Sequence, residues 1–189
     1  MLLAEHPEWQ EKLRQEVRAK LEEKKAKAPK ERILTSADIS QMKLLQNIVM
    51  ETLRLYPPVP IDIKCAAVDD ELPGGFKIPK GSRVSFEPYV MGRLERFWGK
   101  TCLEFNPDRW LEKKTLPSPY DFPQFQAGPR ICLGESLAKF EAALLLGVLV
   151  DRFDMQLPTP DTKYTYSPGI TLTIKDGLFL KVKPLAIPA

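Results

Sequence analysis

The sequence predicts an α+β fold that is mainly helical and carries small antiparallel sheets. Apolar residues recur at helical spacing in three segments, others alternate as they do in strands, and Asp176-Gly177 is typical of a two-residue hairpin turn. The 189 residues contain no series of alternating strands and helices, so a parallel sheet is not expected.

The first helix is predicted from Pro7 to about Lys27. Proline suits the first turn of a helix, because the N–H that it lacks would be unpaired there anyway. Apolar residues then recur at every fourth position, at Trp9, Leu13, Val17 and Leu21. Pro29 should end the helix, since proline removes a backbone donor and clashes with the preceding turn.

Two further helical segments follow from the same kinds of signal. Thr35 with Asp38 three residues later resembles a capping box, and Pro57-Pro58 should end the helical region that it opens. The segment Glu135–Phe153 is strongly apolar, so we expect a buried helix there. The side chains expected to point inward are Leu137, Phe140, Leu144, Leu145 and Val148.

Between these helices the pattern becomes extended. Apolar residues alternate with polar ones at Ile61, Ile63 and Cys65, and Arg83–Phe86 is a second predicted strand. Pro73-Gly74-Gly75 lies between the two strands and predicts a turn.

Two later stretches complete the predicted fold. Residues 99–130 contain five prolines and no sustained period, which is typical of a functional or a disordered stretch. The aromatic residues in this stretch favour a packed loop. Near the C-terminus, Ile170–Lys175 and Leu178–Lys183 are predicted to pair with each other across the Asp176-Gly177 turn.

Composition excludes several classes of function. The net charge of +3 is too small to indicate a nucleic-acid partner. The three cysteines are isolated and His6 is the only histidine, so neither a zinc site nor a histidine-activated nucleophile is expected. The longest apolar run is nine residues, whereas a membrane span needs about 20.

The segment F-Q-A-G-P-R-I-C-L-G runs straight into the third predicted helix. Cys132 stands just before that helix, where free N–H groups and the helix dipole favour an anion such as a thiolate. Gly128 and Gly134 permit close backbone approach, and Arg130 offers a rigid fork for a carboxylate. Phe125 can shield the sulfur from water. From these residues alone, a buried structural cysteine is the common alternative.

This segment resembles the haem-binding loop of the cytochrome P450 superfamily, F-x-x-G-x-R-x-C-x-G, and every fixed position matches. The resemblance implies that Cys132 is the thiolate ligand to the iron of haem b, iron-protoporphyrin IX. It implies that Phe125, Gly128, Arg130 and Gly134 also contact the cofactor. The fold that it implies is the C-terminal portion of the P450 fold, with residues 1–189 as the haem-binding part of one domain.

Two weaker motifs stand upstream in the order that the family has. Glu51 and Arg54 lie in E-T-L-R, similar to the family's E-x-x-R, and Arg109 lies in F-N-P-D-R-W. By periodicity alone, Glu51 and Arg54 fall off the apolar stripe and are interpreted as an exposed ion pair. The resemblance implies instead that all three residues form a buried triad that positions the cysteine loop.

The resemblance also implies the remaining contacts. Lys64 falls where the family usually has an arginine for a haem propionate, so the charge is kept and the planar fork is lost. Ala138, one turn into the third helix, is expected against the porphyrin face. The residues that resemble substrate-facing positions are Val59, Ile61, Ile170, Thr171 and Leu172. For the apolar ones, ordinary core packing is an equally good interpretation.

One motif of the family has no counterpart in the sequence. Family members activate oxygen with an acid–alcohol pair, A/G-G-x-D/E-T-T, on a helix across the distal haem face, and no such pattern occurs here. We therefore expect a fragment that lacks the N-terminal part and the membrane anchor of eukaryotic members. Alone, it should be inactive, because proton delivery to oxygen depends on that pair.

The first functional hypothesis is a haem-thiolate monooxygenase acting on a small apolar organic substrate. The resemblance implies an NADPH-dependent reductase as electron donor and, for the full-length parent, the cytosolic face of the endoplasmic reticulum membrane. The stretch R-L-Y-P-P-V-P resembles the plant-type fatty-acid ω-hydroxylases, which indicates a fatty acid. The alternatives are a non-catalytic haem-binding remnant and a haem-thiolate isomerase or dehydratase of lipid hydroperoxides.

Overall fold

A computed structural model describes residues 1–27, 33–112, 117–167 and 169–186. The helices in these ranges are α1 (Leu2–Glu5), α2 (Pro7–Lys27), α3 (Ser36–Gln41), α4 (Lys43–Leu55), α5 (Pro88–Met91), α6 (Glu95–Trp98), α7 (Arg109–Glu112) and α8 (Glu135–Arg152). The strands are β1 (Asp62–Cys65), β2 (Asp70–Leu72), β3 (Phe76–Ile78), β4 (Arg83–Phe86), β5 (Phe153–Gln156), β6 (Tyr166–Ser167), β7 (Thr173–Ile174) and β8 (Lys181–Pro184). Among the described residues, no helix combines the length and apolarity that crossing a bilayer requires.

The predicted α+β fold and its helices are confirmed. α2 covers the predicted residues, while Pro29, predicted to end it, lies outside the described residues. The capping box is present: the Thr35 hydroxyl accepts the Asp38 N–H at 3.3 Å, and the Asp38 carboxylate accepts the Thr35 N–H at 2.8 Å. The helical region that follows is divided at Met42, which is extended, into α3 and α4.

The strands form four separate two-stranded antiparallel sheets among the described residues. β1 pairs with β4, with Ile63 opposite Ser85, and β2 pairs with β3 across the predicted turn. Gly74 and Gly75 in that turn have φ angles of +94° and +81°, a conformation that favours glycine. The predicted strand Arg83–Phe86 is thus confirmed with its bounds.

The predicted C-terminal hairpin is wrong, although its turn is present. Asp176 and Gly177 adopt the positive φ angles of a hairpin turn, +63° and +91°. The segments on either side nevertheless pair elsewhere, β7 with β6 and β8 with β5. β5 follows α8 directly and gives β8 a ladder of four residue pairs. The residues of the turn thus determine where the chain reverses. Which strand β7 or β8 pairs with is determined by the strand edges that the fold places beside them.

The main core lies where α2, α4 and α8 meet. Its most buried side chains are Leu13, Val17, Leu45, Ile48 and Val150. Gln10 of α2 donates to the Met155 carbonyl at 2.9 Å and accepts the Met155 N–H at 2.8 Å. Arg14 donates to the Val150 carbonyl at 2.9 Å, near the end of α8, where the last carbonyls lack helical partners. These hydrogen bonds therefore fix α2 to the C-terminal end of α8 and to β5.

The prediction that α8 is buried on most sides is wrong. Phe140 and Leu144 pack against the core as predicted, but Leu137 and Leu145 are 60% and 64% exposed. Val148 is also exposed. The contacts of α8 with α2, α3 and α4 use other positions, such as Ala143 and Gly147. One long side of this apolar helix is therefore open, and it is the side that begins beside the cysteine loop.

Candidate functional site

The cysteine loop is held by its own backbone. The Cys132 N–H donates to the Phe125 carbonyl at 2.8 Å, and the Ile131 N–H donates to the Gly128 carbonyl at 3.2 Å. Gly128 has a φ of +75°, and a Cβ at this position would lie 3.3 Å from the hydroxyl of Tyr120. Glycine is therefore favoured at this position by its conformation, and the chain reaches Cys132 in a fixed geometry.

The sulfur of Cys132 lies at the start of α8. The Cys132 carbonyl accepts the Glu135 N–H at 3.3 Å, and a Cβ on Gly134 would stand 3.8 Å from Sγ. The cysteine is free and exposed. α8 has 18 residues, and the unpaired N–H groups and positive dipole end of such a helix attract negative charge. The position suits a thiolate that binds a metal ion from the solvent side.

The surface around Cys132 is open and largely apolar. Its exposed neighbours along the chain are Ile131, Leu133, Gly134, Leu137 and Ala138. Gly134 and Ala138, both predicted cofactor contacts, carry little or no side chain, so a flat ring can approach the helix closely. An exposed apolar surface of this kind marks a binding site more often than a free surface.

Two cations were predicted to contact the cofactor. Arg130 is exposed, and none of the described carboxylates pairs with it. Lys64, on β1, lies 3.4 Å from Asp62, and no hydrogen bond or ion pair between described residues joins it to the cysteine loop. Phe125 is half-buried and touches Cys132 through its backbone. An exposed thiol, an open apolar surface and a free guanidinium together suit haem b, which is flat, apolar and edged by carboxylates.

Glu51, Arg54 and Arg109 meet in a buried network. Glu51 and Arg54 are each 0% exposed and Arg109 is 7% exposed. Arg54 binds both carboxylate oxygens of Glu51, through Nε at 2.8 Å and Nη2 at 2.7 Å. The Nε of Arg109 donates to Oε1 of Glu51 at 3.3 Å. The interpretation from periodicity, an exposed pair, is wrong, and the triad that the resemblance implied is present as a contact network.

The network is buried because the chain after α5 wraps over it. Arg54 and Arg109 donate to backbone carbonyls of that stretch, which belong to Gly92, Trp98, Thr101, Cys102 and Glu104. Glu51 also accepts the Trp110 indole N–H at 3.0 Å. The Trp110 ring packs on Phe122 with a centroid distance of 5.2 Å, three residues before the cysteine loop begins. The network therefore connects, through the packed rings of Trp110 and Phe122, to the segment just before the loop.

The predicted substrate-facing residues come from two distant stretches that the fold joins. The Leu172 N–H donates to the carbonyl of Pro58 at 2.7 Å. Val59 and Leu172 are half-buried, while Ile61 is 53% and Ile170 92% exposed. Thr171 is exposed as well. Core packing is thus the wrong interpretation for Ile61 and Ile170.

A cavity of about 440 Å³ opens between α1, α4, α8 and the C-terminal strands, and residues 1–4 form part of its wall. It is lined almost entirely by apolar side chains, among them Ile48, Leu53, Ala142, Leu146, Leu172 and Ile174. Tyr56 and Tyr166 also line it, and their rings stack with centroids 5.2 Å apart. The guanidinium of Arg93 lies 5.4 Å from the Tyr56 ring. Sequence reasoning missed Arg93, because nothing in its local pattern distinguishes it from a solvent-facing arginine.

A cysteine loop that opens a long helix, together with a buried glutamate–arginine network, is the combination that defines the cytochrome P450 class. The family model described as Cytochrome P450 matches residues 1–182, and the chain belongs to this family. P450 proteins bind haem through a cysteine thiolate.

Among curated relatives, Cytochrome P450 94B3 of Arabidopsis thaliana is 39% identical over 154 residues, which cover 77% of this chain and 30% of that protein. Cytochrome P450 52A6 of Candida tropicalis is 36% identical over 190 residues, covering 95% of this chain and 36% of that protein. The chain thus spans about a third of the length of these relatives. A relative from Helianthus annuus, described as Cytochrome P450, is 37% identical over 148 residues. The match covers 77% of this chain and 95% of that protein.

Proposed function

We propose that this chain is the haem-binding part of a haem-thiolate monooxygenase, an oxidoreductase that inserts one atom of dioxygen into an organic substrate. The observation that carries the proposal is the exposed thiol of Cys132 at the start of α8, on a loop that matches the family pattern at each fixed position. Haem b supplies the redox chemistry when bound, and a thiolate ligand favours cleavage of the oxygen–oxygen bond.

The other residues of the loop bind and orient the cofactor in this proposal. Because Gly134 has no side chain and Ala138 has only a methyl group, the porphyrin plane could lie against the start of α8. Arg130 would pair with one propionate through its planar fork, and Lys64 would pair with a propionate as a point charge. Phe125 keeps water from the sulfur side of the site, and the dryness of that side helps to set the potential of the iron.

Glu51, Arg54 and Arg109 have a structural role in the proposal and take no part in the chemistry. Their contacts to one another and to the backbone of residues 92–104 leave no polar group of the triad facing the open surface around Cys132. The network fixes Trp110, which packs on Phe122. We infer that it positions the cysteine loop in this way.

The substrate that we propose is a small apolar molecule of the fatty-acid type. The apolar side chains of Val59, Ile61 and Leu172 support this proposal, as does the contact between Leu172 and Pro58 that brings the two stretches together. An NADPH-dependent reductase is the proposed electron donor. We place a longer parent protein at the cytosolic face of the endoplasmic reticulum membrane, held by an N-terminal anchor.

The test of the ligand assignment is spectroscopic. We expect the chain reconstituted with haem to show the red-shifted Soret band of a ferrous carbon monoxide complex with a thiolate ligand. Cys132→Ser should abolish that band, because a hydroxyl does not replace the thiolate. Cys65→Ser is the matched control, since Cys65 is also a free, exposed cysteine. A thiolate-type band that survives in Cys132→Ser, or that disappears in Cys65→Ser instead, contradicts the assignment.

Turnover is a separate test of the fragment interpretation. With haem, a reductase, NADPH and a long-chain fatty acid, the 189-residue chain should not hydroxylate the acid, because it has no acid–alcohol pair. Such a pair is worth about 10²–10⁴ in rate. Hydroxylation by the chain itself would refute the fragment interpretation and leave the ligand assignment intact. Conversion of a lipid hydroperoxide without a reductase would favour the isomerase or dehydratase instead.

A further inference from the structure

The side chain of Phe125 contacts a cation that belongs to α8. The ammonium of Lys139 lies 5.2 Å from the centroid of the Phe125 ring, within the range in which an aromatic ring attracts a cation. The same ammonium donates to Oε1 of Glu135 at 2.5 Å. A glutamate four residues before a lysine is the favoured order for an ion pair on a helix. Glu135 therefore holds the Lys139 ammonium in the place where it contacts the Phe125 ring.

Phe125 and Glu135 also hold the backbone of Cys132. The Cys132 N–H donates to the Phe125 carbonyl at 2.8 Å, and the Cys132 carbonyl accepts the Glu135 N–H at 3.3 Å. The candidate iron ligand is thus fixed on one side by a loop residue and on the other side by the first residue of α8. The contact between Lys139 and Phe125 joins these same two segments a second time, through their side chains.

Close packing does not by itself fix the Phe125 side chain. The residue is half-buried, and a cleft of about 290 Å³ opens beside it, lined by Phe125, Ile131, Glu135 and Lys139 among others. A well-packed interior leaves few voids larger than a water molecule. The next residue, Gln126, has a φ of +70°, which is unfavourable for a residue other than glycine and persists where surrounding contacts maintain it. A contact that fixes Phe125 therefore helps to maintain the loop.

We propose that Lys139 is a positioning residue of the candidate haem site, which fixes the Phe125 side chain and, through it, the loop that carries Cys132. The inference rests on the proposed function, because Phe125 and Cys132 are the proposed cofactor contacts that it serves. Lys139 acts through Phe125 and takes no part in the chemistry. The family pattern of the loop ends at Gly134 and does not include this lysine.

Hydrogen exchange of backbone amides, followed by NMR on the full chain without haem, tests the proposal. The Cys132 N–H exchanges when its hydrogen bond to the Phe125 carbonyl opens, so its rate reports on the loop. Lys139→Met keeps a long unbranched side chain and removes the charge. It should speed exchange at Cys132 about two- to fivefold, the range for a cation–aromatic contact at an exposed site. The amides of α4, in the main core, should exchange as in the wild type.

Two further variants show whether the effect passes through the ring. Lys139→Arg should restore most of the protection at Cys132, because a guanidinium also stacks on an aromatic ring and pairs with a carboxylate. In a Phe125→Leu background, Lys139→Met should have no further effect on Cys132, because the cation then has no ring to hold. Such a double-mutant cycle isolates the coupling between the two side chains.

Lys12→Met is the matched control. Lys12 is exposed on α2, and its ammonium lies 4.2 Å from the centroid of the Trp9 ring. The substitution removes a contact of the same kind from another element, so exchange at Cys132 should stay at the wild-type rate.

The proposal is overturned if Lys139→Met leaves exchange at Cys132 unchanged, or if it speeds the α4 amides by the same factor. It is also overturned if Lys139→Arg exchanges as fast as Lys139→Met, or if Lys139→Met keeps its full effect in the Phe125→Leu background. Exchange is measured without haem, so the result is independent of the carbon monoxide spectrum. A thiolate-type spectrum without an effect of Lys139→Met leaves the proposed function standing and rejects the role of Lys139. An effect of Lys139→Met without that spectrum supports its role in the loop and rejects the proposed function.

Discussion

Replacement of Glu51 by alanine should be among the most destabilising single changes in the chain. The carboxylate accepts five hydrogen bonds, from Nε and Nη2 of Arg54, Nε of Arg109, the Asn106 N–H and the Trp110 indole. Alanine leaves all of these donors without their acceptor. It also leaves two guanidinium groups in a buried place without a counter-charge.

The expected magnitude follows from that burial. Breaking a buried ion pair by removing one partner costs about 3–5 kcal/mol, out of the roughly 5–15 kcal/mol that a domain has in total. For a chain of this length, 1 kcal/mol corresponds to about 2–4 °C in melting temperature. Glu51→Ala should therefore lower the melting temperature by about 6–20 °C. Glu51→Gln should cost less, since the amide oxygen still accepts from part of the donor set.

Thermal and urea unfolding followed by far-UV circular dichroism measures this loss. Glu141→Ala is the matched control, because Glu141 is an exposed glutamate on α8, and its removal should change the unfolding free energy by less than about 0.5 kcal/mol. Haem incorporation should fall with the stability of Glu51→Ala. If Glu51→Ala unfolds within about 1 kcal/mol of the wild type, the triad does not support the fold as we argue. A stable variant with full haem content but altered spectra would place Glu51 in the chemistry.

Three further predictions concern the supports of the fold. A Cβ at Gly92 would lie 2.2 Å from the Arg54 carbonyl oxygen, so Gly92→Ala should cost about 1–3 kcal/mol in urea unfolding. Gly147→Ala should be neutral or stabilising, because its Cβ would meet the end of the Leu34 side chain at 3.0 Å, which can shift, and lie at an ordinary 3.9 Å from Leu45, and alanine favours a helix. The Thr35 hydroxyl, its N–H and Lys24 lower the pKa of Asp38 to about 2, so the capping box stabilises the protein above about pH 4 and loses this effect as the pH falls towards 2. Thr35→Val should raise the Asp38 pKa towards 3.8 in a carboxyl NMR titration, and an unchanged pKa would contradict the assigned cause.

The sequence by itself determined the elements whose signals are local. α2, the capping box and strand β4 were predicted where they occur, because proline position, apolar period and side-chain caps act over one or two turns. The family and the candidate iron ligand also followed from sequence, since the loop from Phe125 to Gly134 carries all of its matching positions in ten residues.

Burial was decided only by the tertiary structure. Glu51 and Arg54 fall off the apolar stripe of α4, and periodicity places them in solvent. They are buried because residues 92–104, distant in sequence, present backbone carbonyls that pair with Arg54 and Arg109. The reverse holds for Leu137 and Leu145, which an apolar helix should bury and which remain exposed because α2, α3 and α4 pack on other positions.

The partners of the C-terminal strands and the place of Arg93 also depended on the fold. The Asp176-Gly177 turn forms as predicted, yet the strands beside it pair with other segments. Pro184 pairs with Phe153, 31 residues earlier, and Ile174 pairs with Tyr166, eight residues earlier. The fold also sets the surroundings of Arg93, because it brings the Tyr56 ring beside a guanidinium that already lies on the nearby Tyr89 ring. A sequence pattern shows which side of a helix or strand is apolar. Which groups are buried, and which charges lack a counter-charge, depends on the segments, distant in sequence, that pack against that helix or strand.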